Sequence, residues 1–459
     1  MPGAQFQVSS ASKAETGLVV MATEYGEATK TRTFAIEDLT ARAGSLGARD
    51  FANLEEKIPK LPEFDNLMFK GYSRIINVAA ESVETTITGS YSFGSRCDAI
   101  FDNAGDFLGP IIGKFTISIM AAAVECWWAP KIGQTMIEEA IFYVNAVPID
   151  KHTGLYMNGL DELELKKDKE FGFHEMIGEK VAYIDPNSSQ NNLVWKYRGP
   201  QYKQTTHTAY TLHVPFRFHF CYEPGFYIPA VAIPFNTLKL SIKFRPLSEC
   251  YYAVGGASLT TTPTISSASI LAEIVVMEEA FATALSDESW EYMYRQLQYQ
   301  TTSLSDTTAN TKIQFQSSIF EMFWFILEDT RVAINDWTHY ETNQATATYP
   351  ITKCKIVSAG SGGERVPERT NLYFARTQYY VYKDKIPETR GMMYQSFQLK
   401  SDNFGPAGSL NFTRTGGVEL RQTFTTITSS NTGKMYVFAH TWNWFSIDEH
   451  SLSVTFQSL

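Results

Sequence analysis

Hydrophobic and polar residues alternate along two stretches of this chain, and this period of two constrains the fold more than any other feature of the sequence. Successive side chains of a β-strand point to opposite faces, so strict alternation predicts a strand with one buried face. The first stretch runs from Leu212 to Cys221 and the second from Leu238 to Arg245. Their expected inward residues are Leu212, Val214, Phe216, Phe218 and Phe220, then Leu238, Leu240, Ile242 and Phe244.

Strand patterns bounded by turn residues recur over most of the chain, which predicts an all-β fold. After Pro62, helical periodicity is confined to Leu155–Lys167 and Ser286–Leu297, and Asp287 and Glu288 at the start of the second segment suit a helix N-terminus. Long polar loops are expected at Asp185–Thr208, Pro246–Ser267 and Asp329–Thr352. Further strands are predicted at Val83–Phe93, Phe107–Met120, Ile137–Val147, Ile270–Met277, Ile313–Leu327, Met392–Leu399, Val418–Ile427, Met435–Phe438 and Leu452–Phe456.

The 459 residues exceed what one hydrophobic core usually supports, so more than one domain is expected. Residues 1–61 are rich in small and polar residues, with a weak helical period over Phe34–Ile58, and predict an extended arm. The pattern then indicates a first β-domain over 62–283, a helical linker over 284–300 and a second β-domain over 301–459. No short fixed repeat is present, which argues against solenoids and propellers.

Composition narrows the function. The net charge of −10 argues against a chain that grips nucleic acid through a basic face. Charged residues make up 19% of the chain, below the roughly 25% of ordinary domains, while aromatic residues reach 14%. The longest apolar run, Phe115–Val124, is too short to span a membrane, and no secretory signal is visible, so a cytosolic product is expected. The cysteines show no paired spacing, which predicts reduced and mostly buried thiols at Cys97, Cys126, Cys221, Cys250 and Cys354.

Catalytic and metal-binding signatures are absent, so no catalytic, cofactor-binding or metal residue is predicted. The glycine-rich run Gly360–Gly363 lacks a following Lys and indicates a surface loop. His213, His219 and Cys221 share one predicted strand face, but the ends of this set are too far apart along a strand for one metal ion. The adjacent Glu278 and Glu279 would point to opposite faces of a strand and could not flank one bond.

A charged cluster over 161–169 and two sequons also do not indicate a functional site. Asp161, Glu162 and Glu164 precede Lys166, Lys167, Asp168 and Lys169, and this mixture predicts a solvated helical face. The sequons begin at Asn187 and Asn411, and glycosylation is not expected at either.

Several runs carry a family resemblance. Phe220–Cys221 with Pro224–Gly225, Ile228–Pro229 and Ala232–Ile233 is similar to an F-C-x-x-P-G-x-x-(L/I)-P-x-x-A-(L/I) motif. Other runs resemble further motifs of the same family: 72–94, 103–108 (NAGDFL), 149–152 (IDKH), 291–298 (EYMYRQLQ), 393–399 (MYQSFQL) and 406–414 (PAGSLNFTR). The chain from about Pro62 to Leu459 thereby resembles the double jelly-roll major capsid proteins of nucleocytoplasmic large DNA viruses, which include iridoviruses, phycodnaviruses and marseilleviruses. Two runs depart from the family pattern. Asn103 replaces the usual basic residue of the 103–108 motif, and 317–324 loses an Asn-His-Pro turn, although Glu321 and Trp324 remain.

The resemblance implies two tandem jelly-roll β-sandwiches with short helices in loops, an N-terminal arm and no enzymatic activity. It also implies a homotrimer that forms pseudo-hexagonal capsomers of an icosahedral shell, located in the virion and assembled in the host cytoplasm. The implied partners are neighbouring capsomers, minor capsid and penton proteins, and internal membrane-associated proteins, with no direct nucleic-acid contact. The loops at 185–208 and 246–267 would form the outer end of the trimer. The alternative from another class is a two-domain β-sandwich that binds carbohydrate, as a lectin or a glycosidase; it would need two facing acids or an exposed aromatic platform.

Overall fold

The computed structural model of the chain describes residues 78–102, 104–179, 181–184, 193–197, 199–233, 237–286, 289–342, 348–360, 362–400, 405–448 and 451–454. The predicted arm over 1–61, its helical period, Asn187, and Asp287 with Glu288 lie outside the described residues. No helix in the described ranges is both long and apolar enough to cross a membrane.

The first half of the chain folds into one strongly curved sheet. Its strand order is β10-β3-β14-β1-β2-β11-β5-β6, and β1 joins the two halves of the sheet because only Ile87–Gly89 pair with β2. The halves face each other as a sandwich, with Phe115 of β3 packing edge-on against Phe244 of β11 at 5.4 Å. The strands are β1 (Val78–Gly89), β2 (Arg96–Ile100), β3 (Phe107–Ile117), β4 (Met120–Trp128), β5 (Ile137–Val144), β6 (Val147–Thr153), β7 (Val181–Ile184), β8 (Leu193–Tyr197), β9 (Gln204–His207), β10 (Tyr210–Pro215), β11 (Leu238–Phe244), β12 (Tyr251–Ala253), β13 (Leu259–Thr261) and β14 (Ile265–Met277).

Smaller elements decorate this first sandwich. Strands β12, β4, β13 and β9 form a separate small sheet, and β7 pairs with β8. Short three-ten turns occupy His219–Cys221, Pro224–Phe226 and Ala230–Ala232. The helices are α1 (Ile132–Thr135), α2 (Gly154–Glu164), α3 (Lys167–Ile177) and α4 (Glu279–Ser286). Helices α2 and α3 lie in the connection between β6 and β10.

The second half repeats the same strand order in two sheets. The order β20-β17-β23-β15 corresponds to β10-β3-β14-β1, and β16-β22-β18-β19 corresponds to β2-β11-β5-β6. The fold is therefore all-β with two tandem sandwiches, as predicted. The elements are β15 (Trp290–Leu304), β16 (Thr308–Ile313), β17 (Ser318–Glu328), α5 (Asp329–Val332), β18 (Ile351–Ser358), β19 (Glu364–Thr370), α6 (Gln378–Tyr382), β20 (Met393–Ser396), β21 (Leu410–Asn411), β22 (Val418–Phe424), β23 (Gly433–Asp448) and β24 (Ser451–Val454).

Strand β17 has two buried faces. Met322, Trp324 and Ile326 point into the core of the second sandwich, whereas Phe323 and Phe325 belong to the core that includes the first sandwich. Alternate side chains of one strand thus serve two different hydrophobic layers. The sheet that contains β17 is the layer shared by the two sandwiches.

The helix predicted at Ser286–Leu297 is wrong. Most of this segment belongs to β15, which pairs with β23 along its whole length, from Trp290 opposite Ile447 to Leu304 opposite Gly433. This long-range pairing overrides a local helical period, and the aromatic residues of the segment suit a strand. The helix in this region is instead α4, which ends at Ser286.

The strand predicted over Leu212–Cys221 is only partly correct. Strand β10 ends at Pro215, which has no N–H to donate to a neighbouring strand, and the chain then turns through the three-ten segment. Phe216, Phe218 and Phe220 are buried as predicted, but His219 is buried too and does not lie on an outward face. The second alternating stretch is confirmed as β11.

The other predicted strands are present, with shifted ends. Two long ones are each broken in two: Phe107–Met120 becomes β3 and the start of β4, and Ile313–Leu327 falls across β16 and β17. The predicted strand Ile137–Val147 stops at a two-residue turn, Asn145–Ala146, where both residues have positive φ. The loop predicted at Pro246–Ser267 contains β12 and β13, which pair with β4. The helical prediction over Leu155–Lys167 is confirmed by α2.

Candidate functional site: the interface between the two sandwiches

Helix α2 of the first sandwich packs on the outer face of the β15-β23-β17-β20 sheet. Tyr156 stacks on Phe323 of β17 at 6.0 Å and contacts Phe438 of β23 at 5.7 Å. Phe323 and Phe438 are directly paired across the two strands. At Gly159, an added Cβ would lie 2.7 Å from Cε2 of Phe323, so only a glycine permits this close approach. Thr153 caps the helix by accepting a hydrogen bond from the backbone N–H of Tyr156.

One ion pair crosses this interface in almost complete burial. Glu164 at the end of α2 pairs with Arg295 of β15, with Oε1 and Nη1 separated by 2.6 Å and side-chain exposures of 6% and 3%. Tyr222 donates a second hydrogen bond to Glu164 at 2.6 Å. Burial alone would raise the pKa of Glu164, but Arg295 outweighs it and lowers that pKa to about 2. Glu164 is therefore a carboxylate held by two donors.

A second chain of polar groups runs from α2 through β23 to β17. His440 lies with Nε2 at 2.8 Å from the Tyr156 hydroxyl and Nδ1 at 2.7 Å from Glu321 Oε1. Burial, together with Arg295, lowers the pKa of His440, so the ring is neutral at pH 7. A neutral ring beside a carboxylate donates through Nδ1–H, and Nε2 then accepts from Tyr156. In this tautomer, His440 connects Tyr156 of the first sandwich to Glu321 of the second through two hydrogen bonds.

Glu321 is the end point of that chain. Tyr394 donates to its Oε2 at 2.7 Å, and Lys383 Nζ lies 2.9 Å from the same oxygen as an ion pair without hydrogen-bond geometry. Burial would raise the pKa of Glu321, but Lys383 and His440 hold it well below its usual value. A carboxylate that is 1% exposed is thus compensated from several sides.

The acidic residues of α2 correct the prediction of a solvated helical face. Asp161 is buried against Arg217, with Oδ1 and Nη2 at 2.9 Å, and Glu162 pairs with Lys131 at 3.3 Å. Burial raises the pKa of Asp161 despite Arg217. The prediction fails for these acids and for Glu164 because α2 lies between two sandwiches and not at the surface. It holds for the exposed residues 166–169.

Backbone contacts reinforce the joint. Asp150 of β6 accepts the backbone N–H of Leu297 through Oδ1 at 3.1 Å and contacts His152 Nε2 through Oδ2 at 2.8 Å. Gln296 donates to the carbonyl of Ile149 at 3.1 Å. Two sequence motifs, 149–152 and 291–298, therefore meet across the interface. The two motifs are well over a hundred residues apart in the chain, and nothing in the sequence indicated that they are in contact.

The remaining candidate residues do not form a site. His213 lies on β10, and His219 is a buried residue of a three-ten turn, where burial lowers its pKa to about 3. No cluster of three or more His, Cys, Asp or Glu side chains suited to a metal ion occurs in the part of the chain that the structure describes. Burial raises the pKa of Cys221 to about 12, and the other four cysteines are buried free thiols.

The surface candidates are structural as well. Gly360 and Gly362 are exposed in the turn between β18 and β19, which confirms the predicted surface loop. Glu279 opens α4 and Glu278 is exposed just before it, so the strand assumed for this pair is wrong. Asn411 lies in β21 and accepts a hydrogen bond from the backbone N–H of Arg414.

Two family profiles cover most of this chain. One, described as the N-terminus of major capsid proteins, matches residues 67–284, and the other, described as the large eukaryotic DNA virus major capsid protein, matches residues 282–454. The major capsid protein of Phaeocystis pouchetii virus is 21% identical over 81% of this chain and 91% of the relative. That of Paramecium bursaria Chlorella virus 1 is 22% identical over 81% and 85%.

Solved structures show the same fold. The Faustovirus major capsid protein superposes with a TM-score of 0.72 at 12% identity, covering 89% of this chain and 97% of that one. A quasi-atomic model of the PBCV-1 virus capsid superposes with a TM-score of 0.66 at 19% identity, covering 86% of this chain and 100% of that one. These similarities extend across both sandwiches.

Proposed function

Because the chain belongs to the family of major capsid proteins of large eukaryotic DNA viruses, we propose that it forms homotrimers whose six sandwiches make a pseudo-hexagonal capsomer of an icosahedral shell. The role of the chain is structural and not enzymatic, and the protein is a component of the virion. The trimer and the tiling are the steps proposed here.

One observation carries this proposal: a single chain holds two sandwiches of identical strand order in a fixed relationship. The buried pair Glu164–Arg295 makes that relationship specific, because misplacing either partner would leave an uncompensated buried charge. The hydrogen bond from Tyr156 of the first sandwich to His440 of the second adds to it. Three rigid units of two similar sandwiches can present six similar edges to neighbours. That is the requirement for a pseudo-hexagonal building block.

We also propose an arm over 1–61, a first jelly roll over 62–283 and a second jelly roll that ends at 459. The expected start of the second at 301 moves back to Trp290, because β15 pairs with β23 along its whole length. The two family profiles meet at residues 282–284, which supports the first limit. The helical linker over 284–300 is not retained, since β15 begins at Trp290. Contacts with neighbouring capsomers, minor capsid and penton proteins and internal membrane-associated proteins, and assembly in the host cytoplasm, are further parts of the proposal. A negatively charged chain is expected to leave nucleic acid uncontacted.

The mass of the purified protein tests the trimer. Light scattering coupled to size exclusion should give about three times the chain mass of 51.7 kDa at micromolar concentration. Negative-stain images should show particles of hexagonal outline. A stable monomer that forms no trimer after refolding would disprove the proposal. A glycan array checks the carbohydrate-binding alternative, for which we expect no saturable binding.

A further inference from the structure

The interface inside the chain has an unused counterpart at the chain surface. In the second sandwich, the connection between β19 and β20 contains a helical segment that ends with α6. This connection is equivalent to the one that carries α2 in the first sandwich, because β19 and β20 match β6 and β10 in sheet order. The inner side of the segment is anchored by Phe374 and Tyr379, both fully buried.

Four apolar side chains of this segment and of the residues just after α6 are exposed. Their exposed fractions are 57% at Leu372, 78% at Tyr380, 60% at Val381 and 41% at Ile386. A cluster of this kind on one short segment marks an interaction surface more often than a solvated one. We call Leu372, Tyr380, Val381 and Ile386 the outer patch.

The first sandwich carries the matching open sheet face. Ile112 of β3 and Leu271 of β14 are directly paired, as Phe323 and Phe438 are in the equivalent strands β17 and β23. Both are only partly buried. Around them lie hydrogen-bonded polar side chains: Lys114 and Ser269 contact Glu84 at 3.0 and 2.6 Å, and Thr116 contacts Thr211 at 3.2 Å. We call this surface the open face.

We propose that the outer patch of one copy docks on the open face of the next copy, with Tyr380 and Val381 lying over the Ile112–Leu271 pair. The occupant is identified by the interface already present within the chain. There, helix α2, in the connection between β6 and β10 of the first sandwich, covers the equivalent pair, Phe323 and Phe438, of the second sandwich. Each chain has a second helical segment of this kind, which carries the outer patch, and a second sheet face of this kind, the open face. The outer patch lies on the second sandwich and the open face on the first.

The proposed contact is heterologous, since two different surfaces meet, and it can close into a ring. It rests on the proposed trimer and names the residues that hold it together. An apolar centre with a rim of polar side chains is the composition expected of a subunit interface. The aromatic Tyr380 is the residue type that most often anchors such contacts.

Charge placed in either surface tests the contact. The double variant Tyr380→Glu with Val381→Glu, and separately Leu271→Glu, should each raise the trimer dissociation constant at least about tenfold, because a carboxylate would be buried without a partner. Leu399→Glu is the matched control: Leu399 is 92% exposed and belongs to neither surface. Light scattering measures the oligomer, and circular dichroism with thermal unfolding shows that each variant is folded. If the wild-type protein is a trimer and the Tyr380/Val381 double variant and Leu271→Glu both remain trimers like the control, this inference is wrong while the proposed function stands. If the wild-type protein is a monomer, the proposed function itself fails.

A cross-linking experiment tests the pairing of the two surfaces. The variant Tyr380→Cys with Leu271→Cys, treated with a flexible bis-maleimide, should give covalent trimers on denaturing gels, since each chain then links to the next. Each single-cysteine variant should match the wild-type baseline. Dimers linked through Tyr380→Cys alone would show a symmetric contact and would overturn the heterologous one, as would a double variant indistinguishable from the baseline.

Discussion

The third strand of each sandwich occupies the same place in the sheet but meets different surroundings. In β17 every residue after Ser318 is buried, whereas in β3 the buried residues alternate with partly exposed ones such as Ile112 and Lys114. The difference comes from the first sandwich, which covers β17 through α2 and leaves β3 open on one side. Two strands with the same place in the sheet can therefore differ in burial. A strand is buried on both faces, and its sequence is a continuous apolar run, only where a second layer covers the outer face of its sheet.

The largest contrast between the covered and open faces should come from their ion pairs. Arg295→Met leaves Glu164 buried without its cation and should lower the free energy of unfolding by about 3 to 5 kcal/mol. Lys114→Met breaks the ion pair between Lys114 and Glu84, whose side chains are 37% and 47% exposed. This substitution should change the free energy of unfolding too little to detect. Urea unfolding followed by tryptophan fluorescence measures both. Equal effects of the two substitutions would contradict the comparison.

Acid should act mainly on the covered face. The pKa of Glu164 falls from 4.5 to about 2 on folding, so its contribution is complete above pH 4.5 and is lost as the pH drops toward 2. The loss amounts to about 3 kcal/mol. Stability measured by urea unfolding should therefore decline in that window.

The control for this pH dependence is a pair of glutamine variants. Glu164→Gln should flatten the decline, although it also lowers stability at neutral pH. Glu84→Gln on the open face should leave the slope unchanged, because the carboxylate of Glu84 is solvated and its interactions are screened. A slope that is unaffected by Glu164→Gln would assign the acid sensitivity to other groups.

Sequence reasoning reached the fold class and the strands but could not place the interface. Alternation identified β11 because two side chains on one of its faces are partly exposed while the other face is buried. The helical period at Ser286–Leu297 predicted the wrong element, because β15 is set by its pairing with β23, a strand far away in the chain. Asp161, Glu162 and Glu164 resembled a surface cluster because their partners Arg217, Lys131 and Arg295 come from distant elements. Only tertiary structure separates a solvated charge from a buried pair.

The close approach at Gly159 allows a test of packing with two glycines in adjacent helices. Gly159→Ala brings a Cβ to 2.7 Å from Phe323 and should destabilise the chain by about 1 to 3 kcal/mol. Gly172→Ala in α3, where nothing lies within 4 Å of the added Cβ, should be neutral or stabilise by up to about 1 kcal/mol. Differential scanning calorimetry gives both shifts. A neutral Gly159→Ala would mean that α2 can move away from β17 at little cost.

The smallest expected effect concerns a single hydroxyl. Tyr156→Phe keeps the ring stacked on Phe323 and removes only the donor to His440 Nε2, which is buried and would be left unsatisfied. The expected loss is about 1 kcal/mol, at the low end of the cost of leaving a buried acceptor unsatisfied. Thr211→Val removes the Thr116 contact on the open face, where water can replace it, and should have no detectable effect. Chemical denaturation of both variants at pH 7 makes the comparison. If Tyr156→Phe were as silent as Thr211→Val, His440 Nε2 would have to be satisfied in another way, and the polar chain from α2 to Glu321 would not contribute to holding the two sandwiches together.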